Sequence, residues 1–467
     1  MNFIYSREVL DINKSLVRSL ITYVFIIMSI YISISLFFKS HFYFGTIING
    51  INISGKTIEQ AEKKVIEEVD VYSITLEERD NITENIRGEE FNLEYIKNDF
   101  LEDTIRNQNS SAWIFRILKN NHYVYDKIFT YDNNLLKECF EKLECLNEEK
   151  VIVPKSASLK FNGNEYEIIN EVYGNKVNKA KLLDEIERSI RKGQLKINLE
   201  EVKCYEKPKY NSTSLELIEA KKICDKYVSS KIVYTFDEVT ENVNGNLISN
   251  WITIYDDLKV KINEEKVKKY ISDLCEKYDT YGKTRIINTS VGKSVEVKGG
   301  NYGFKIDKNK ETQELIYNIE KGYSVVKEPE YIQRAEVRGK DDIGKTYVEV
   351  NITRQHLWFY KDGKLITQGS VVTGNTQRGW KTPNGTYRLN YKQKDAVLRG
   401  ENYASKVKYW MPFNGNIGLH DASWRGAFGG NIYNNDGTHG CVNLPVYLAK
   451  KIFENIEEGV PVICYTE

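Results

Sequence analysis

The stretch Thr438-His439-Gly440-Cys441-Val442-Asn443, read together with His420, from which seventeen residues separate it, decides how this chain is understood. A cysteine attacks a carbonyl as the thiolate, and a free thiol with pKa about 8.5 is only a few per cent ionised at neutral pH. A neighbouring imidazole such as that of His420 corrects this by taking the proton. Gly440, directly before Cys441, lets the backbone turn sharply so that successive N–H groups point into one cavity, as an oxyanion cradle requires. Nucleophile, base and cradle therefore fall within 22 positions, His420 to Cys441. A competing reading makes His420, His439 and Cys441 three zinc ligands. No fourth ligand or H-x-x-x-H helix accompanies them in this Gly-rich loop, so neither metal nor cofactor is expected.

Outward from that stretch the texture is mostly β. Tyr347 to Ile352 alternates with period two, and His356 to Tyr360 runs into Lys361-Asp362-Gly363-Lys364. Leu365 to Val372 completes a hairpin with Asp-Gly at its tip. One helix is expected around Val446–Asn455. A sandwich-like domain over residues 346–467 follows, preceded by a polar junction at 331–345.

The constellation resembles the signature of the L,D-transpeptidases of the YkuD-type fold. The match continues upstream in Val371-Val372-Thr373-Gly374, Lys381-Thr382-Pro383-Asn384-Gly385-Thr386-Tyr387 and Trp410-Met411-Pro412-Phe413, so it covers about 345–467. The resemblance implies that Cys441 is the nucleophile and His420 the general base, oriented by a backbone carbonyl such as that of Asp421. It implies that His439, Gly440 and Cys441 shape the oxyanion site, with Asn443, Trp424 and Thr438 against the substrate. Whether the Asp421 side chain also touches His420 stays open. The implied donor is a peptidoglycan tetrapeptide stem, the acceptor a neighbouring stem, and the product a 3→3 cross-link. A covalent carbapenem adduct on Cys441 is expected as well. An L,D-carboxypeptidase, with water as acceptor, and a non-catalytic wall-binding scaffold are the alternatives. Ser290-x-x-Lys293 and Ser324-x-x-Lys327 fit the S-x-x-K element of penicillin-binding D,D-transpeptidases, but no K-T-G follows them.

Upstream, Ser19 to Phe38 is a run of twenty uncharged residues, long enough as a helix to span roughly 30 Å of hydrocarbon. A cleaved signal would need a small-residue A-x-A-like site, and no alanine precedes Ala61. Arg7, Lys14 and Arg18 precede the run, and Lys39 alone follows it before Lys56. The positive-inside bias puts residues 1–18 in the cytoplasm, 19–38 across the cell membrane in a single pass, and the remainder outside, facing the wall.

Gly45 to Thr57 reads as a strand with a Ser54-Gly55 turn, followed by a helix from about Ile58 to Val69. Tyr173-Gly174-Asn175-Lys176-Val177-Asn178-Lys179 is echoed 129 residues later by Tyr302-Gly303-Phe304-Lys305-Ile306-Asp307-Lys308. Each copy precedes a helical stretch, and Asp132 to Leu143 likewise resembles Asn263 to Leu274. Two α+β repeats result, within 40–205 and 206–330. They resemble the peptidoglycan-binding repeats of Gram-positive wall enzymes, or they are a spacer. The fold class expected is thus a membrane-anchored multidomain chain ending in a mostly β catalytic domain.

Composition sets the bounds. At roughly 150 residues per domain, 467 residues make about three domains. Lys plus Arg number 66 and Asp plus Glu 66, and this balance argues against a nucleic-acid partner. The C-terminal 346–467 carries 14 Lys/Arg against 10 Asp/Glu, a net of +4. No C-x-x-C pair occurs, and apart from Cys441 the cysteines read as small buried hydrophobes.

Overall fold

The computed structural model describes residues 4–116, 119–339, 341–400 and 403–467. Residues 1–3 of the expected cytoplasmic segment and Lys340 of the junction lie outside the described residues. The chain divides into two compact units, residues 1–158 with 169–214, and residues 159–168 with 215–467.

The first unit begins with one helix, Ile4–Phe37. Its segment Lys14–Phe37 has a mean hydropathy of 2.3 and is long and apolar enough to cross a membrane. Only 6% of that apolar window is buried, so it is not the core helix of a soluble body. The strand expected from Gly45 onward is instead a hairpin, Thr46–Ile48 with Ile51–Asn52. Asn49 and Gly50, at φ 44° and 78°, form its turn, the Asn-Gly pairing that left-handed backbone favours. The next helix, Ile58–Asp70, starts on a Thr57/Gln60 capping box and buries Ala61, Val65 and Val69 at helical spacing.

One small topology then occurs twice. In the first unit Ser73–Glu77 pairs antiparallel with Thr83–Arg87 and parallel with Lys196–Asn198. In the second, Lys231–Phe236 pairs antiparallel with Val239–Val243 and parallel with Ser324–Lys327. The sequence echo has a local cause. Its sixth residue, Asn178 or Asp307, caps a helix by accepting the backbone N–H three residues on. Those helices, Lys179–Lys192 and Lys308–Lys321, both end on a left-handed glycine, Gly193 and Gly322. Asp132 and Asn263 likewise cap Asn133–Glu141 and Glu264–Tyr278.

One hairpin from the sequence before the expected 205/206 boundary packs in the second unit. Ser158–Phe161 and Tyr166–Ile169 lie in the sequence of the first repeat, yet residues 159–168 belong to the second unit. Leu159, Phe161 and Tyr166 complete the core around Val228, Ile232 and Tyr234, and Asp225 accepts the Tyr166 N–H at 2.7 Å. The second repeat behaves alike. Its hairpin Arg285–Asn288/Ser294–Val297 buries Ile287 and Val297 against Ile343, Ile463 and Tyr465, beyond the repeat.

From residue 346 on, the strands are β1 (Tyr347–Asn351), β2 (His356–Lys361), β3 (Lys364–Ser370), β4 (Gly385–Arg388), β5 (Gln393–Gly400), β6 (Tyr403–Asn414), β7 (Ile417–Asp421), β8 (Val442–Leu444) and β9 (Pro461–Tyr465). They form a five-stranded sheet, β3-β2-β1-β9-β4, and a four-stranded sheet, β5-β6-β7-β8. The β2–β3 turn has Asp362 and Gly363 at φ 51° and 76°. Val348, Val350 and Phe359 of the first sheet share one core with Met411, Phe413 and Leu419 of the second. The helix Val446–Asn455 closes it with Leu448, Ala449, Ile452 and Phe453, the i, i+1, i+4, i+5 stripe of a helix face.

Several contacts join the second repeat to this domain. Gly300 bridges to Thr386, and a Cβ there would sit 1.9 Å from the Thr386 carbonyl oxygen, so glycine is required. Arg285 donates to both carboxylate oxygens of Asp342, at 2.6 and 2.7 Å, with both side chains buried. The two S-x-x-K matches are absorbed here as structure. Ser290 donates to buried Glu349 while Lys293 pairs with Glu467, and Lys327 pairs with Glu311 and Glu314.

Removing one partner of a buried ion pair strands the other charge. Asp342→Ala is expected to destabilise the protein by about 3–5 kcal/mol, read as a lowered denaturation midpoint. The double variant Arg285→Met/Asp342→Leu recovers most of that loss.

Candidate active site

β7 carries His420 on the face opposite the core residue Leu419, in register with Trp410 on β6 and Asn443 on β8. Directly opposed residues project to one side of a sheet, so these three lie in a row. The Nδ1–H of His420 donates to the Asp421 carbonyl oxygen at 2.9 Å, which leaves Nε2 as the unprotonated nitrogen. The Asn443 amide nitrogen lies 3.5 Å from that Nε2. The Asp421 carboxylate is engaged elsewhere, accepting the Tyr409 N–H at 2.8 Å. The residue therefore orients His420 through its backbone rather than its side chain.

Cys441 sits just before β8, half-buried. Its Sγ–H points to the Asn416 carbonyl oxygen at 3.4 Å, and among the described residues no hydrogen bond joins it to His420. Both side chains nonetheless line one cavity of about 230 Å³, with Leu398, Ser405, Trp424, Arg425, Gly437, Thr438, His439 and Asn443. Burial lowers the His420 pKa, with Arg425 adding to the effect against the pull of Asp421. Burial also pushes the Cys441 thiol up to about 11, opposed by the Gly418 N–H. The resting pair is neutral thiol and neutral imidazole, since a low-dielectric pocket disfavours both charged forms.

Hydrogen bonds fix the loop before Cys441. Thr438 exchanges backbone bonds with Thr373 and Asn375, and Asn443 with Val372. Thr382 accepts the Gly374 N–H and donates to the Gly440 carbonyl at 2.7 Å. Thr438 Oγ1 accepts the Gly440 N–H at 3.0 Å and donates to the Cys441 carbonyl at 2.6 Å. Gly440 has φ 116°, a left-handed value that disfavours side chains. Its amide is thus held by Thr438 at rest, where the sequence led us to expect it turned into an oxyanion cradle. The His439 ring stacks on Trp380, centroids 4.0 Å apart. Trp424 stands half-exposed with its ring 6.1 Å from that of His420.

The structure brings together Cys441, His420, His439, Asn443, Trp424 and Thr438 around the cavity. It does not gather His420, His439 and Cys441 as chelating atoms. Among the described residues the one convergent set of three such side chains is Glu78, Glu84 and Cys145. All seven cysteines are unpaired, and Cys145, Cys204, Cys224, Cys275 and Cys464 are buried. Sequence reading missed Leu398, Ser405, Arg425 and the Thr382–Gly440 link. For Arg425 a signal existed, since it is the sole Lys or Arg between His420 and Cys441.

Two family models match the chain. The L,D-transpeptidase catalytic domain, YkuD, matches residues 345–464. The model described as "Putative peptidoglycan binding domain" matches 90–198 and 210–327. Among solved structures, a cysteine-to-serine mutant of the Enterococcus faecium L,D-transpeptidase is 31% identical over 53% of this chain and 100% of that one, with TM-score 0.44. The Ldtfm–avibactam carbamoyl enzyme is 31% identical over 54% and 99%, with TM-score 0.44. The catalytic domain of the E. faecium L,D-transpeptidase acylated by ertapenem is 38% identical over 26% and 98%, with TM-score 0.25. No curated protein matches the chain.

A thiol raised to about 11 is roughly one part in a thousand ionised at pH 8, against about a quarter for a free cysteine. Greater intrinsic nucleophilicity offsets part of that. Iodoacetamide is expected to alkylate Cys441 about tenfold more slowly than free cysteine at pH 8. The rate keeps rising past pH 9, as followed by peptide mass spectrometry.

Proposed function

This chain belongs to the L,D-transpeptidase family, and we propose that it cross-links peptidoglycan stem peptides by thioester catalysis at Cys441. The observation that carries the reading is the shared cavity of Cys441 and His420, with the imidazole tautomer set by the Asp421 carbonyl. His420 Nε2 takes the thiol proton, and the sulfur attacks the carbonyl of the third residue of a donor tetrapeptide stem. The C–S bond forms, the L,D amide C–N bond breaks, and the imidazolium returns the proton to the departing amine of the terminal D-residue. The side-chain amine of a second stem's third residue then attacks the thioester. Its proton passes to His420, a C–N bond forms, the C–S bond breaks, and Cys441 regains its hydrogen. The product is a 3→3 cross-link.

The developing oxyanion needs N–H donors, and on this reading the Gly440 amide exchanges Thr438 Oγ1 for it. Asn443 and Trp424 border the substrate, and a stem seated there displaces the water that would compete with the amine. The helix Lys14–Phe37 anchors the protein, with the following residues on the wall side where stems are found. The segments 90–198 and 210–327 contact the wall. A carbapenem, whose strained amide presents the same carbonyl chemistry, acylates Cys441.

The test is incubation with disaccharide-tetrapeptide and mass spectrometry. Dimer is expected from the wild type. Cys441→Ala abolishes both dimer and acyl-enzyme without changing the melting temperature, and dimer formed by that variant would refute the mechanism. Tripeptide without dimer would indicate hydrolysis instead. The imidazole acts neutral and its pKa lies below the ordinary 6.5. Acylation is therefore expected to hold steady down to pH 6.5 and to fall only at lower pH.

A further inference from the structure

Arg425 is the one cation lining the cavity shared by Cys441 and His420 among the described residues. Its side chain is 11% exposed, so the guanidinium is largely withdrawn from water. One ion pair is formed, from Nη1 to Asp436 Oδ2 at 2.9 Å, and the Asp436 side chain is 84% exposed. Such a pair is monodentate and screened on its outer side. The Arg425 Nε is buried and has no hydrogen-bond partner among the described residues. A guanidinium presents its donors as a planar fork suited to a carboxylate, and a buried donor left unpaired costs free energy that an incoming acceptor recovers.

The reading of the site as an L,D-transpeptidase, on which this inference rests, supplies the acceptor. The departing D-residue carries its free carboxylate on the carbon attached to the scissile nitrogen. We propose that Arg425 binds that carboxylate and so selects donor stems that end one residue after the bond being cut. A stem longer by one residue buries this position in an amide and carries its charge too far away. Arg425 is thereby a specificity residue contacting the leaving group, whereas Cys441 and His420 perform the bond exchange. The net charge of +4 in the C-terminal domain does not account for this selection, because the choice depends on one cation at the cavity wall.

The detergent-solubilised full chain is tested with two synthetic tetrapeptide donors, one ending in a carboxylic acid and one in a carboxamide. Acyl-enzyme formation on Cys441 is followed by mass spectrometry. The wild type is expected to prefer the acid about 10- to 100-fold in kcat/KM, mainly through KM, the range for a lost charge-assisted hydrogen bond. Arg425→Gln removes the preference by slowing the acid donor far more than the amide donor, and moves the acid limb of the rate profile toward higher pH for both. Arg425→Lys retains part of the preference. A wild type that acylates equally from both donors overturns the inference, as does an Arg425→Gln enzyme that keeps the acid preference. If Arg425→Gln fails to fold, the wild-type ratio and the Arg425→Lys ratio decide. A wild type acylated by neither donor overturns the transpeptidase reading itself, a different result from equal use of both.

Discussion

Parallel pairing of β7 with β8 sets Asn443 level with His420 and leaves Cys441 one residue beyond the paired edge. The register does what sequence distance cannot, since a one-residue slip would turn His420 away from the cavity and into the core. Everything else at the site reinforces that alignment. The Asp421 carbonyl stops rotation of the imidazole, and the Thr382 and Thr438 hydroxyls hold both sides of Gly440. Thr382 reaches Gly440 from 58 residues away, so the site's geometry is a property of the packed sheets rather than of the loop.

The same packing sets the chemistry. Burial disfavours an ionised thiol, which is why Cys441 is held neutral at rest. On the proposed mechanism, activation is coupled to the arrival of a carbonyl, with the proton moving as the C–S bond forms. The arrangement protects the thiol from indiscriminate oxidation and alkylation, because those reactions need the thiolate. Reactivity is thereby tied to occupancy.

How much was legible in the sequence follows from the range of each interaction. His420 and Cys441 could be read because their chemistry and spacing are local to 22 positions. The helix caps at Asn178 and Asp307 were visible as an echo because capping acts over three residues. The hairpin turn at Asn49-Gly50 had a readable signal and was passed over in favour of the β-branched alternation around it. Arg425 could be named only as a lone cation, since its orphaned Nε depends on which walls close over it. The destination of the 159–168 hairpin had no signal at all. Alternation tells that one face is covered, and nothing about which part of the chain covers it.

That hairpin has a consequence for how the protein is made. Leu159, Phe161 and Tyr166 leave the ribosome well before Val228, Ile232 and Tyr234, the side chains they pack against. Ile287 and Val297 likewise emerge more than 150 residues ahead of Ile463 and Tyr465. Each module therefore finishes synthesis with an apolar strand pair waiting for a host still to come, and the last host is supplied by the final strand. Maturation is sequential by construction, and the sheet packed against the cavity's own is completed only when β9 has been made. A chain halted before β9 would carry an uncovered apolar hairpin at 285–297, a mark of incompleteness written into its surface.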